Sequence, residues 1–244
     1  MSNINPSIPI RRVLTRASIA LTLIVGAAIA SRPAAAADLE GVWRLASPQM
    51  SLTPADGAAI PFTEQGRHLY EENRKAAESG NFRFDFTEGR CSSPGLPRMM
   101  LTPMPMKIFQ RARTVSILFR WNHLMRQIDL TGEEKQGRDL EAPSMRGFSS
   151  GHWEGETLVV ESHTFLPQKL LDNLIPSSED LTLTESMRLR DHNTLEDRIT
   201  ISDPQMFTGP WQTILLYKRA SDDLFPFPED VCLDRMKSGL PLPR

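Results

Sequence analysis

Apolar and polar residues alternate with a period of two in stretch after stretch of this chain, and turn-forming residues bound each stretch. Successive side chains of a strand point to opposite faces, so the pattern predicts half-buried β-strands. Eight are predicted, over 40–47, 114–122, 123–130, 146–154, 156–165, 181–191, 194–203 and 211–219. Glu154-Gly155-Glu156 and Asp191-His192-Asn193 read as hairpin connections, because Gly and Asn accept positive φ. One helix is predicted, opened by Thr63 as N-cap, running through the charged stretch Glu71–Lys75 to about Ser79 and stopped by Gly80.

Consecutive antiparallel strands with one apolar face must cover that face, and closing the sheet into a barrel does so without leaving edges. The expected fold class is therefore all-β, an antiparallel barrel of about eight strands with one short N-terminal helix and long proline-rich loops. Its alternative is a two-sheet sandwich. The opening Gly41-Val42-Trp43 resembles the start of lipocalin-like (calycin-like) barrels. Eight strands is the size whose interior either fills with side chains or holds one small ligand. The prolines gather between Pro94 and Pro105 and between Pro226 and Pro243, marking irregular segments that lie over this scaffold.

The first 37 residues have a different character. Arg11, Arg12 and Arg16 precede a mostly apolar run from Ala17 to Ala30, and Ala35-Ala36-Ala37 follows. That is the layout of a secretory signal, with the alanines as its cleavage site. As a helix the run spans roughly 21 Å, short of the ~30 Å that a membrane anchor must cross. The expected organisation is a cleaved signal over 1–37 and a single domain over 38–244, exported to the periplasm. Arg11-Arg12 leaves Sec and twin-arginine export both open.

Cleavage would remove four arginines and no acid from 28 basic and 30 acidic residues, leaving a net charge near −6. That balance argues against nucleic acid and against an anionic membrane surface as partners. Cys91 and Cys232 are the chain's two cysteines. In an oxidising compartment they are expected to form a disulfide worth roughly 4 to 5 kcal/mol on the chain-entropy model, with a pair of free thiols as the alternative.

Alternation also places ionisable groups on apolar faces. Glu185 falls among Leu181, Leu183, Met187 and Leu189; Asp197 among Leu195, Ile199 and Ile201; Glu161 and His163 with Val159 and Phe165; and Arg126 with Leu124, Ile128 and Leu130. Inward charges are costly unless they pair. One account is a structural ion-pair network centred on Arg126. The other is the polar floor of a ligand cavity, where environment drives two carboxylate pKa values apart and His163 carries a proton.

Other constellations carry less. Met99, Met100, Met104 and Met106 could hold Cu(I) through thioethers, or simply fill space beneath loops. The five histidines show no zinc-ligand spacing. Gly147-Phe148-Ser149-Ser150-Gly151 fits Gly-x-Ser-x-Gly, but a second strand follows where a nucleophile elbow needs a helix. No glycine-rich phosphate loop is present, and no cofactor is implied.

Four segments together resemble a large family of exported, functionally uncharacterised proteins from sphingomonads, acidobacteria and related groups. They are Cys91 to Met100, Gly147 to Glu161 (GFSSGHWEGETLVVE), Ser178 to Ser186 and Thr200 to Pro204. The resemblance implies functional weight for Glu161, Glu185, Arg126 and Trp153. The family's Asp-Gly-Arg-x-His-Pro segment is replaced here by the charged run Thr131 to Arg138.

The resulting expectation is a periplasmic barrel binding a small apolar or aromatic molecule, with Trp153, Asp197, His123, Phe119 and Tyr217 as ligand contacts. As an enzyme it would be a cofactor-free lyase, isomerase or decarboxylase: Glu161 or Glu185 takes a proton, Arg126 holds the anion and His163 returns the proton. The alternatives are a non-catalytic carrier or envelope protein with a structural ion-pair network, and Cu(I) binding at the methionines. Intact-mass measurement of the periplasmic protein is expected to give a chain beginning at Asp38 that gains the mass of two hydrogens on reduction. An uncleaved chain, or one unchanged by reductant, contradicts the export reading or the disulfide respectively.

Overall fold

The computed structural model describes Met1, 36–48, 50–85, 87, 92–132, 142–167, 169–229 and residues 231, 234, 237 and 238. Contacts divide the chain into Met1–Pro33 and Ala34–Arg244, and the fold below is that of the second unit. Most of the expected signal segment, both cysteines of the expected disulfide and most of the charged run after Thr131 lie outside the described residues.

Nine strands are described: β1 (Gly41–Leu45), β2 (Met106–Arg111), β3 (Thr114–Phe119), β4 (Met125–Asp129), β5 (Phe148–Glu154), β6 (Thr157–His163), β7 (Thr182–Asp191), β8 (Thr194–Ser202) and β9 (Trp211–Arg219). Each strand pairs with the next. Trp43 then stands opposite Arg219, so that β9 returns to β1 and closes a barrel. The barrel holds and the sandwich falls, but the count of eight antiparallel strands is corrected twice. β2 is an additional strand, and β4 and β5 run parallel.

The parallel pair has a local cause. Parallel neighbours need a crossover of a dozen or more residues rather than a hairpin, and residues 130–147 supply it. The two strands meet only where Asp129 stands opposite Ser150. Every other neighbouring pair of strands has at least three residue pairs in register.

Inside the barrel the alternating residues close on one another. Val115, Ile117 and Phe119 of β3, Leu183 and Met187 of β7, and Leu195, Ile199 and Ile201 of β8 belong to one apolar cluster with the fully buried Trp43. The Trp43 indole Nε1 donates to the Leu39 carbonyl at 3.0 Å, and the Arg219 guanidinium lies 4.2 Å from its ring centroid. Met99, Met100 and Met106 are buried in this same cluster. Their thioethers fill the core in the way a flexible, polarisable side chain does.

The loops over the barrel are sewn down by buried polar groups. Asp172 accepts the backbone N–H groups of Leu52, Leu174 and Ile175 at 2.8 to 2.9 Å. Arg98 pairs with Asp85 through both guanidinium ends. The Lys169 ammonium is buried 4.3 Å from the Phe165 ring centroid and donates to the Leu96 carbonyl. Burial pushes its pKa down to about 7, against the pull of Asp203. No helix among the described residues is long and apolar enough to cross a membrane.

The helix α1 (Glu64–Glu78) starts where predicted, Thr63 Oγ1 accepting the Gly66 N–H at 3.0 Å. Gly80 follows its end with φ +74°. Gly66 sits against the connection between β8 and β9, and a Cβ there would lie 2.1 Å from the Met206 carbonyl oxygen. Alanine in place of glycine normally favours a helix by about 1 kcal/mol. Here Gly66→Ala is expected to lower stability by about 1 to 3 kcal/mol through overpacking, read by chemical denaturation. A stabilised variant contradicts the close approach.

Candidate functional site

Alternation on β7 and β8 turns Glu185 and Asp197 inward, each nearly or fully excluded from solvent, and alternation on β4 does the same for Arg126. On β6 the expected register is off by one. The buried side is Leu158, Val160 and Ser162, leaving Glu161 exposed and His163 half-buried on the outer side. Leu158-Val159-Val160 is three consecutive apolar residues, so either of two registers covers an apolar pair. A slip of one residue exchanges every side chain between faces.

Arg126 is the hub of the interior. Its Nη1 donates to Glu185 Oε1 at 2.8 Å and its Nη2 to Glu185 Oε2, a bidentate pair. Its Nε donates to Ser149 Oγ at 3.2 Å and Nη2 also to Ser162 Oγ at 2.9 Å, while the two serine hydroxyls are 2.8 Å apart. Burial works against the guanidinium's charge, but Glu185, with help from Asp197, outweighs it and raises the Arg126 pKa. Four strands, β4 to β7, are joined by this one side chain.

Asp197 adds a second carboxyl to a site with a single guanidinium. Neither of its oxygens has a hydrogen-bond donor among the described residues. Burial pushes its pKa well above the usual carboxylate range, and Glu185 adds to the rise while Arg126 opposes it. Burial and the neighbouring Glu185 side chain thus both favour the protonated form of Asp197. Tyr217, inward on β9, donates its hydroxyl to the Met100 carbonyl at 3.1 Å, and burial followed by the nearby Asp197 raises its pKa.

A cleft of about 690 Å³ opens in the wall where β4 and β5 part company. Met125, Gln127 and Asp129 form one bank; Arg146, Gly147 and Phe148 form the other; the buried Arg126 and Ser149 lie at its floor. Arg146 bridges the banks, its Nη1 donating to the Met125 carbonyl at 2.6 Å. The His163 ring lies behind Phe148, centroids 5.6 Å apart, with Nδ1 2.6 Å from Thr164 Oγ1 and Nε2 without a partner among the described residues.

The expected site residues thus separate. Arg126, Glu185, Asp197 and Tyr217 come together inside. Glu161 stands on the opposite side of the sheet from them, and His163 backs the cleft wall instead of facing the interior. His123 is exposed, with Nε2 2.9 Å from the Pro228 carbonyl oxygen. Phe119 belongs to the apolar core, and Trp153 is half-buried against it. The cleft residues Arg146 and Phe148 were not singled out from the sequence. The signal available was the length of the 130–147 connection, since long connections between strands often carry function.

Two substitutions distinguish the interior carboxyls. Glu185→Gln strands the Arg126 charge and is expected to cost about 3 to 5 kcal/mol in urea unfolding. Asp197→Asn mimics the protonated acid. An acid whose pKa is raised by folding gives stability at low pH that is lost as pH rises toward the folded value, at about 1.4 kcal/mol per unit. The variant should therefore gain on the native chain as pH rises from 4 to 7. A constant difference between them across that range contradicts a protonated Asp197.

No family model matches the chain, and no curated protein matches it. Among solved structures the chain is similar to a mutant of the fluorescent protein UnaG, at 16% identity and a TM-score of 0.33 over 75% of this chain and 96% of that one. A likeness of that size carries no argument about ligand or activity, and the closed barrel rests on its own strand pairing.

Proposed function

We propose that the chain is an exported, calycin-like binding barrel that takes a small molecule at the β4–β5 seam. The observation that carries this is the cleft itself, about 690 Å³, with a buried arginine at its floor that makes four hydrogen bonds to Glu185, Ser149 and Ser162. Ligand sites of 300 to 1,000 Å³ with a few fixed polar groups are the common form of small-molecule site. The segment 147–151, part of the resemblance to the exported family, supplies Gly147, Phe148 and Ser149 to the lining.

The reading is of binding rather than turnover. Of the groups expected for acid-base chemistry, Glu161 and His163 do not share a face with Arg126, while Glu185, the other expected base, is held by both ends of the Arg126 guanidinium, which also engages two serines. The ion pair then serves as the rigid floor of a binding site. Rigid floors favour affinity because little is left to order when the ligand arrives.

Gln127→Trp tests the location, because Gln127 is exposed on the cleft bank and a bulky ring there fills the opening without entering the core. Compounds from a metabolite set that raise the melting temperature of the native chain are expected to leave the variant's unchanged. Equal protection of both proteins places the site elsewhere.

A further inference from the structure

Among the described residues, the charged groups at the mouth of the cleft are two arginines and one aspartate. Arg113 and Arg146 line it with Asp129 as the acid among them, while the charge of Arg126 below is answered by Glu185. Arg146 gives one N–H to the Met125 carbonyl, and the rest of its guanidinium has no protein partner among the described residues. That single bond fixes the group across the seam with a donor edge left over. Such an edge matches a carboxylate in a planar, two-point fashion that an ammonium cannot reproduce.

Next to it, Phe148 presents an aromatic side chain held from behind by the His163 ring. An anchored guanidinium beside a braced aromatic ring is complementary to a molecule with an acid at one end and a flat apolar body beyond it. We infer that the seam cleft takes a small organic acid, its carboxylate on Arg146 and its apolar body against Phe148. This rests on the seam reading above and adds the chemical class of the ligand.

The test uses benzoate, benzamide and benzylammonium as probes on the folded chain, followed through the Met125 methyl and Arg146 Nε–H resonances. Benzoate is expected to shift both and to bind at least about tenfold more tightly than the other two, the worth of one charge-assisted pair. Arg146→Met should weaken benzoate by about tenfold and leave benzamide alone, with Arg146→Lys in between. Arg146 is exposed, so neither variant disturbs the core.

Benzamide or benzylammonium binding the cleft as tightly as benzoate overturns the acid class and leaves the seam reading standing. Benzoate binding that survives Gln127→Trp and shifts neither resonance overturns both. Absence of any benzoate-dependent shift at millimolar concentration overturns the inference, while the metabolite screen still judges the seam independently.

Discussion

The Arg126–Glu185 pair bears on the whole barrel. Removing two charges from water costs several kcal/mol each, and only good geometry with every remaining N–H engaged offsets it. Here the guanidinium reaches Glu185 twice and two serines besides. Its position matters as much as its bonds. Between β4 and β5 the backbone ladder is reduced to Asp129 opposite Ser150. Side chains therefore do at the seam what main-chain hydrogen bonds do elsewhere: Arg126 ties β4 to Ser149 of β5, and Arg146 ties the segment before β5 back to Met125.

Charge balance in the interior follows from that pair. One guanidinium is matched by one carboxylate, so a second carboxyl in the same dry space is favoured as its acid. Asp197 meets that condition, with burial and Glu185 both acting on it. The contrast with Asp172 is informative. Burial also raises the pKa of Asp172, but three backbone N–H groups act in the opposite direction. Two buried aspartates thus differ in surroundings, one meeting a nest of donors and the other a neighbouring carboxylate.

Much of the barrel was legible in the sequence, because a period of two is a strong signal when each strand has one dry face. Arg126, Glu185 and Asp197 were placed inward correctly for that reason. β6 failed where Leu158-Val159-Val160 gave the alternation no phase, and Glu161 and His163 went to the wrong side with it. β2 was missed because Pro103 and Pro105 lead directly into Met106-Lys107-Ile108, and prolines beside methionines read as loop. The cleft was the least legible part. It arises where two strands pair at a single position, and the shortness of a pairing leaves no periodic trace.

The closing contact of the barrel joins the ends of the domain, β1 to β9. A chain emerging from its N-terminus, whether from a ribosome or across a membrane, thus presents β1 long before its second neighbour exists. The meander from β5 to β9 assembles from adjacent strands as they appear, whereas β1 keeps an open edge until residues 211–219 arrive. Open edges invite pairing with other chains. The last strand is therefore the one that ends the vulnerable period, and a chain cut short before Trp211 carries an unclosed sheet however well its earlier strands have formed.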